Sequence, residues 1–389
     1  MTLLTPMHLD YQARMREVAE KYIRPVAAKH DVDQSYPHDV MQKINDADLN
    51  GVWIPKEYGG KGAGVLTLCL VVEEISRCCG GIGVSYAVNA LGSFPIILSG
   101  NEAQKQKYLP PIAKGQKKIA FCLSEKEAGS DAGSLSCKAE KKGSSYVING
   151  EKKWTTNGGV ADTYTVFTNS DASKGTRGMT ALIVPRETKG CRLGKYEDKM
   201  GIRCVPVNEM HFEECSVPEE NRLDQEGRGF YVAMQTLDYA RPGVAAQAVG
   251  LAQGALDLAV QYVGKRKQFG ESISSFQGIQ WMIADMATKV EAARQLVYTT
   301  AAAIDAGDKG VSKKAAMAKV FATDVAMEVT TNAVQLFGGY GFMKDYPIEK
   351  YMRDAKITQI YEGTNQIQRL VISRAVIKET ASMARTAGS

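Results

Sequence analysis

Glu362 stands in the run Ile360-Tyr361-Glu362-Gly363-Thr364, and its neighbours make it a candidate base. A carboxylate that removes a proton from carbon has to be held close to that carbon and partly dried, which strengthens its basicity. Gly363 puts no side chain beside it and lets the backbone come near a bound ligand. Thr364 or Asn365 can cap a following helix from Gln366 to Val376. A Glu here could equally do no more than complement the dipole of that helix.

Three further runs are polar or aromatic where plain packing would be simpler. In Glu151-Lys-Lys-Trp-Thr-Thr-Asn157, Trp154 and Thr156 occupy alternate positions. A strand would turn both to one side, giving a flat ring an apolar wall and a hydroxyl. Ser130 follows Ala128-Gly129, in a loop whose amides and hydroxyl suit phosphate-like groups. Gly338 and Gly339, in Gln335-Leu-Phe-Gly-Gly-Tyr-Gly341, let the chain approach a phosphate with no Cβ in the way. By themselves, Asp238 and Arg241 read as a surface ion pair beside a helix break at Pro242, and Arg266 as a solvent-facing partner of Glu271.

The elements that must position these residues fall into three segments. Apolar residues recur at helical spacing up to about Lys118, as in Val18, Tyr22, Val26 and in Leu68, Val71, Val72, Ile75. Asn101 is placed to cap a helix that Pro110-Pro111 closes. From Ile119 to about Asp224, β-branched and aromatic runs alternate with Gly, Asn and Asp. Asn149-Gly150 between Tyr146-Val-Ile148 and Glu151 to Trp154 predicts a hairpin turn. Thr163 to Thr168, Met179 to Val184 and Asn208 to Phe212 are further strands. Helical period returns after Glu226, with runs over twenty residues that suit an antiparallel bundle, and Ala381 to Ser389 read as a fraying polar tail. The expected class is α+β: a helical domain at 1–118, a β-barrel or sandwich domain at 119–225 and a four-helix bundle at 226–389. Segregated strands and helices, without Gly-x-Gly-x-x-Gly, argue against a dinucleotide-binding βαβ layout.

With 44% apolar and 23% charged residues, the composition is that of an ordinary globular chain. Lys and Arg exceed Asp and Glu by 48 − 43 = 5 with no basic stripe, so no nucleic-acid partner is expected. Gln247, Gln253, Asp257 and Gln261 interrupt the apolar stretch Val244 to Val263, so no membrane insertion is expected. The N-terminal residues lack a secretory pattern, so a cytoplasmic location is expected. Eight scattered cysteines and four scattered histidines suggest reduced structural thiols and no metal site.

Taken together, Phe121-Cys-Leu-Ser-Glu-Lys-Glu-Ala-Gly-Ser-Asp131, Glu151 to Gly159, Arg266-Lys-Gln-Phe-Gly270 with Phe276-Gln277, and Gln335 to Gly341 followed by Arg353 to Gln366 resemble the acyl-CoA dehydrogenase family in order and spacing over nearly the whole chain. The resemblance implies FAD as cofactor, a homotetramer, an electron-transferring flavoprotein as redox partner and α,β-dehydrogenation of an acyl-CoA. It implies Glu362 as the catalytic base. The alternative base position of the family matches Ala240, which cannot accept a proton, so the short-chain, butyryl-CoA dehydrogenase-like branch is the nearer one.

By the same resemblance Phe121, Leu123, Ser124, Trp154, Thr156, Thr364 and Gln366 contact the flavin. Arg266, Phe269 and Gln277 reach the FAD of a neighbouring subunit, and Gln335, Gly338 and Gly339 meet its adenine and pyrophosphate. Ser130, Asp238, Arg241, Tyr361 and Gly363 contact the substrate. Phe121 replaces a tyrosine of many relatives, and Lys126 a proline. Val84 to Ser99, with Asn89, Leu91, Ser93 and Phe94, matches the base of the acyl pocket and carries no charge. A butyryl-like chain is expected first. Branched or alicyclic acyl-CoA such as cyclohexanecarboxyl-CoA, or an enoyl-CoA reductase or acyl-CoA oxidase on this scaffold, are the alternatives, and a non-enzymatic helical interaction protein is the remote one.

Overall fold

The computed structural model describes residues 3–387. Its N-terminal part is helical: α1 (Pro6–Val18), α2 (Ala27–Asp33), α3 (His38–Asp46), α4 (Gly64–Cys78), α5 (Gly80–Ser99) and α6 (Glu102–Ala113). α4 and α5 are buried nearly all round; α5 carries no charged residue, and the buried Glu73 and Glu74 of α4 are paired with Arg294 and Arg16. α6 opens on a reciprocal cap: the Asn101 side chain accepts from the Gln104 amide, and the Gln104 side chain accepts from the Asn101 amide. Pro110 and Pro111 do not close α6, which runs on to Ala113. Burial of Leu109 and Ile112 offsets the bonds the two prolines cannot donate.

The middle segment carries β1 (Ile119–Cys122), β2 (Lys138–Lys142), β3 (Ser145–Thr156), β4 (Thr163–Asn169), β5 (Met179–Pro185), β6 (Cys191–Tyr196), β7 (Val207–Pro218) and β8 (Arg222–Leu223). They form one sheet in the order β6-β7-β3-β2-β4-β5-β8, with β1 parallel to β4. β2 joins the two halves, and Tyr146, Ile148, Tyr164, Leu182, Phe212 and Val217 from both halves enclose a core of their own.

The hairpin expected at Asn149-Gly150 does not form. The chain reverses at Gly143, φ +60°, and β3 continues straight through Asn149 and Gly150 to reach β7. Asn149 is taken up by Glu214, donating to its carboxylate at 2.7 Å and accepting from its amide at 2.8 Å. A Cβ on Gly150 would lie 2.7 Å from the Cys137 Cα, so glycine serves a close crossing there, not a turn.

The C-terminal part comprises α7 (Gly229–Lys265), the short hairpin β9 (Lys267–Gln268) and β10 (Glu271–Ser272), α8 (Gln277–Asp305), α9 (Val311–Phe337), α10 (Gly339–Phe342), α11 (Ile348–Thr358) and α12 (Asn365–Ala387). α7 packs on α4, α5, α8, α9 and α11 and so ties the two helical parts together. It passes through Pro242 without a break, because residues on both sides, from Leu237 to Leu256, are buried. α5 and α7 are long and apolar enough to cross a membrane by length and composition, the second against expectation, yet most of each lies inside the protein. α12 extends through the predicted polar tail to Ala387, and residues 388 and 389 lie outside the described residues. All eight cysteines are free thiols.

Candidate active site

A cavity of about 310 Å³ lies where α5, β1, the end of β3, α7 and the turn between α11 and α12 meet. Its base is apolar, made by Leu68, Val84, Leu91, Phe94, Phe230 and Val244. Asn89 and Ser93, expected beside Leu91 and Phe94, turn away from it. The Asn89 side-chain oxygen accepts from the Ile119 amide at 3.2 Å and the Ser93 hydroxyl from the Trp53 indole at 2.8 Å. α5 thus presents carbon to the cavity and spends its polar groups on neighbouring elements. Gln247 closes one side, buried and bonded to the Tyr361 hydroxyl and the Gly80 carbonyl.

Glu362 reaches this cavity from the α11–α12 turn, at φ +53°. A non-glycine residue held at such angles costs about 1–3 kcal/mol and persists only where its surroundings over-determine it. Here they do. The Glu362 carbonyl accepts from Arg241 Nε at 3.3 Å and Gln368 Nε2 at 3.2 Å, and the Gly363 carbonyl from Lys319 Nζ at 2.9 Å and the same Gln368 nitrogen at 2.8 Å. The backbone is therefore clamped while the carboxylate stays free: Glu362 Oε2 is buried without a hydrogen-bond partner. Burial pushes the carboxyl up to about 7, against the opposing pull of Arg241 and then Lys319. A carboxyl poised there suits proton abstraction near neutral pH.

Gly363 adopts φ +95°, and a Cβ on it would stand 2.7 Å from Gln368 Nε2. Gly363→Ala is expected to push Gln368 aside and reduce kcat/KM about 10²-fold, the cost of displacing a reacting group by about 1 Å. Steady-state kinetics on the flavin-loaded variant checks this, and an unchanged kcat/KM contradicts it.

Opposite Glu362 the cavity is walled by Phe121, Leu123 and Ser124 and by Trp154 and Thr156. The shared side of Trp154 and Thr156 comes from an irregular strand, not from simple alternation. The β3–β7 register shifts between Lys152 and Thr155, and Trp154 sits at φ +56° with 52% of its surface exposed. Thr155 instead turns inward to Cys122. Beneath this wall lies a pair the sequence reading missed. Lys152 and Glu125 are 0% and 3% exposed and bonded at 2.5 Å, and Lys152 also donates to the Leu123 carbonyl at 3.1 Å. Glu125 further accepts from the Ser136 amide and hydroxyl, both at 2.6 Å, and from the Cys137 amide at 3.1 Å. Burial raises the Glu125 carboxyl, but Lys152 and these donors outweigh it and hold it below its ordinary value. The loop 121–125 is thereby stapled to β3.

Ser130, Arg241, Tyr361 and Gly363 also line the cavity, and so does Ala240, which brings no acceptor. Asp238 does not line it. It binds Arg241 at 2.8 Å and the Ser312 hydroxyl, and with Arg241 only 4% exposed the surface-pair reading fails. A second cavity collects Arg266, Phe269, Gln335, Gly338 and Gly339. Arg266 lies over the Tyr340 ring, 5.5 Å from its centroid, while Glu271 takes the Ser275 hydroxyl, so the Arg266–Glu271 pair does not form. Three expected contacts lie in neither cavity: Gln277 is exposed at the start of α8, Gln366 is exposed on α12, and Thr364 caps α12 by accepting from the Ile367 amide. The residues lining the two cavities fit FAD: an uncovered indole with a hydroxyl beside it suits a flat ring, and a Cβ on Gly338 or Gly339 would meet nothing within 4 Å, leaving room for phosphate against backbone.

Family models for the N-terminal, middle and C-terminal domains of acyl-CoA dehydrogenase match residues 5–116, 120–215 and 227–377. The chain belongs to the acyl-CoA dehydrogenase family and is an FAD-dependent oxidoreductase. It is 48% identical to a short-chain specific acyl-CoA dehydrogenase of Clostridium acetobutylicum, over 94% of this chain and 96% of that one. The structure of butyryl-CoA dehydrogenase from Megasphaera elsdenii superposes with TM-score 0.94 at 43% identity, covering 96% of this chain and 99% of the other. A structure described under the electron transferring flavoprotein of Acidaminococcus fermentans matches with TM-score 0.94 at 50% identity, covering 96% and 98%.

Proposed function

We propose that the protein converts a short-chain acyl-CoA to the trans-2-enoyl-CoA, with Glu362 removing the α-proton. The observation that carries this reading is the Glu362 carboxylate: clamped through its backbone, unpartnered at Oε2 and facing an apolar cavity. An acyl chain in that cavity would have its α-carbon beside a partly dried base. Among the described residues the Glu362 amide donates no hydrogen bond, so it is free to meet the thioester carbonyl and stabilise enolate charge as it develops. Arg241 and Lys319 supply positive charge behind the base. FAD, when bound, supplies the acceptor for the hydride leaving Cβ. Trp154 and Thr156, with the loop 121–124 stapled beside them, would hold it, and Ser130 and Arg241 would meet the CoA portion.

An electron-transferring flavoprotein is the proposed acceptor of the electrons, and a homotetramer the proposed assembly. Phe269 supports the second point: it is 95% exposed on the β9–β10 hairpin, beside the open cavity that holds Gln335 and Gly338. A bulky apolar side chain so exposed suits burial against another subunit.

The small apolar base of the cavity, limited by Leu68, Phe94 and Gln247, favours a butyryl-sized group. Butyryl-CoA is expected to exceed octanoyl-CoA at least about tenfold in kcat/KM, since each misfitted methylene is worth about 1–3 kcal/mol. Steady-state rates on straight, branched and alicyclic CoA esters measure this, and a preference for octanoyl-CoA contradicts it.

A further inference from the structure

Lys319 lies on α9 in the stripe Ala315, Lys319, Ala322, Ala326, all of it buried. Its Nζ donates to the Gly363 carbonyl at 2.9 Å and to Asn365 Oδ1 at 2.8 Å, both uncharged acceptors. Among the described residues no carboxylate comes within ion-pair distance of it. A buried ammonium is costly unless opposite charge compensates it. The acid that acts on it most strongly is Glu362, three residues before Asn365 on the far side of the clamped carbonyl.

We infer that Lys319 is a positioning residue for the Glu362 base: it holds the Glu362–Gly363 turn through the Gly363 carbonyl and Asn365, and while charged it adds to Arg241 in favouring the Glu362 carboxylate. This rests on Glu362 being the base.

The surrounding charges leave that task to few groups. Arg241 on α7 acts on Glu362 more strongly than Lys319 does, with Asp238 bonded to it on the same helix, and it also opposes the charge on Lys319. Asp324 on α9 acts on Lys319 more weakly than Glu362 does and is engaged by Arg369 of α12 and by the Gln359 and Asn365 side chains. No group on α8 or α11 is among those acting on either residue. Burial drives Lys319 down to about 7, the same range as Glu362, so each favours the charged form of the other.

The sign of the effect is fixed. Removing the Lys319 charge raises the Glu362 pKa, so activity needs a higher pH. The test uses flavin-loaded K319Q, which keeps a donor without the charge, and K319R, which keeps the charge, with kcat/KM for butyryl-CoA followed against pH. In K319Q the acid limb is expected to move up by about one unit, making the enzyme about tenfold slower below the limb with recovery at high pH. In K319R, which stays charged throughout, the limb stays at or below its wild-type position even if the plateau falls. An unmoved limb in a K319Q enzyme with wild-type flavin content overturns the inference, as does a K319R limb displaced upward from that of wild type. Should K319Q fail to hold flavin, K319M is followed in its place, and an unmoved acid limb there overturns the inference. Failure of the Glu362 reading is separate, since it appears as turnover surviving in E362Q whatever Lys319 does.

Discussion

Glu362→Gln in the flavin-loaded enzyme is expected to lower kcat on butyryl-CoA by at least about 10³-fold, within the range a lost general base commands. Gln is nearly isosteric, and the turn is clamped through the Glu362 and Gly363 carbonyls, so flavin content and melting temperature should hold. No neighbour can take over. Ala240 lines the same cavity with nothing to accept a proton, and Lys319 donates both of its bonds to the backbone and side chain of the turn. Stopped-flow or steady-state assays read the loss directly, and a variant within about tenfold of wild type would remove Glu362 from the role.

The second large effect falls on stability. Lys152→Met leaves Glu125 buried with its charge uncompensated, and breaking one partner of a buried pair costs about 3–5 kcal/mol. The cost should appear at the flavin wall, because Lys152 also holds the Leu123 carbonyl and Glu125 the Ser136 and Cys137 amides. The double variant Glu125→Gln with Lys152→Met removes both charges and is expected to recover much of the loss, which a double-mutant cycle in denaturant at fixed flavin concentration measures. A Lys152→Met enzyme as stable as wild type contradicts the staple.

How much of this was legible beforehand depended on how local each signal was. The α, β, α order, the Asn101 cap and the Glu362 turn are written in short runs whose meaning depends on adjacent residues only. Asn149-Gly150 misled because its turn propensity is local, whereas the strand through it is decided by pairing with β7 and by the crossing over Cys137. Pro242 misled likewise: burial along α7 outweighs the one bond the proline cannot donate.

Lys152 and Lys319 escaped notice although each carried a signal. Lys152 shares the inward parity of Tyr146 and Ile148, and Lys319 interrupts an alanine stripe at helical spacing. A lysine at such a position announces a buried partner. Which partner is set by distant chain: Glu125 lies 27 residues from Lys152, and Gly363 lies 44 from Lys319.

The central claim, that Glu362 takes a proton from the carbon next to the thioester, is tested most directly by exchange of that proton. The flavin-loaded enzyme is incubated with butyryl-CoA in D₂O without an electron acceptor, and deuterium at the α-carbon is followed by mass spectrometry. Exchange is expected to speed up with rising pH through about 7, where burial sets the Glu362 carboxyl, and to disappear in E362Q. Exchange that persists in E362Q at the wild-type rate would contradict it.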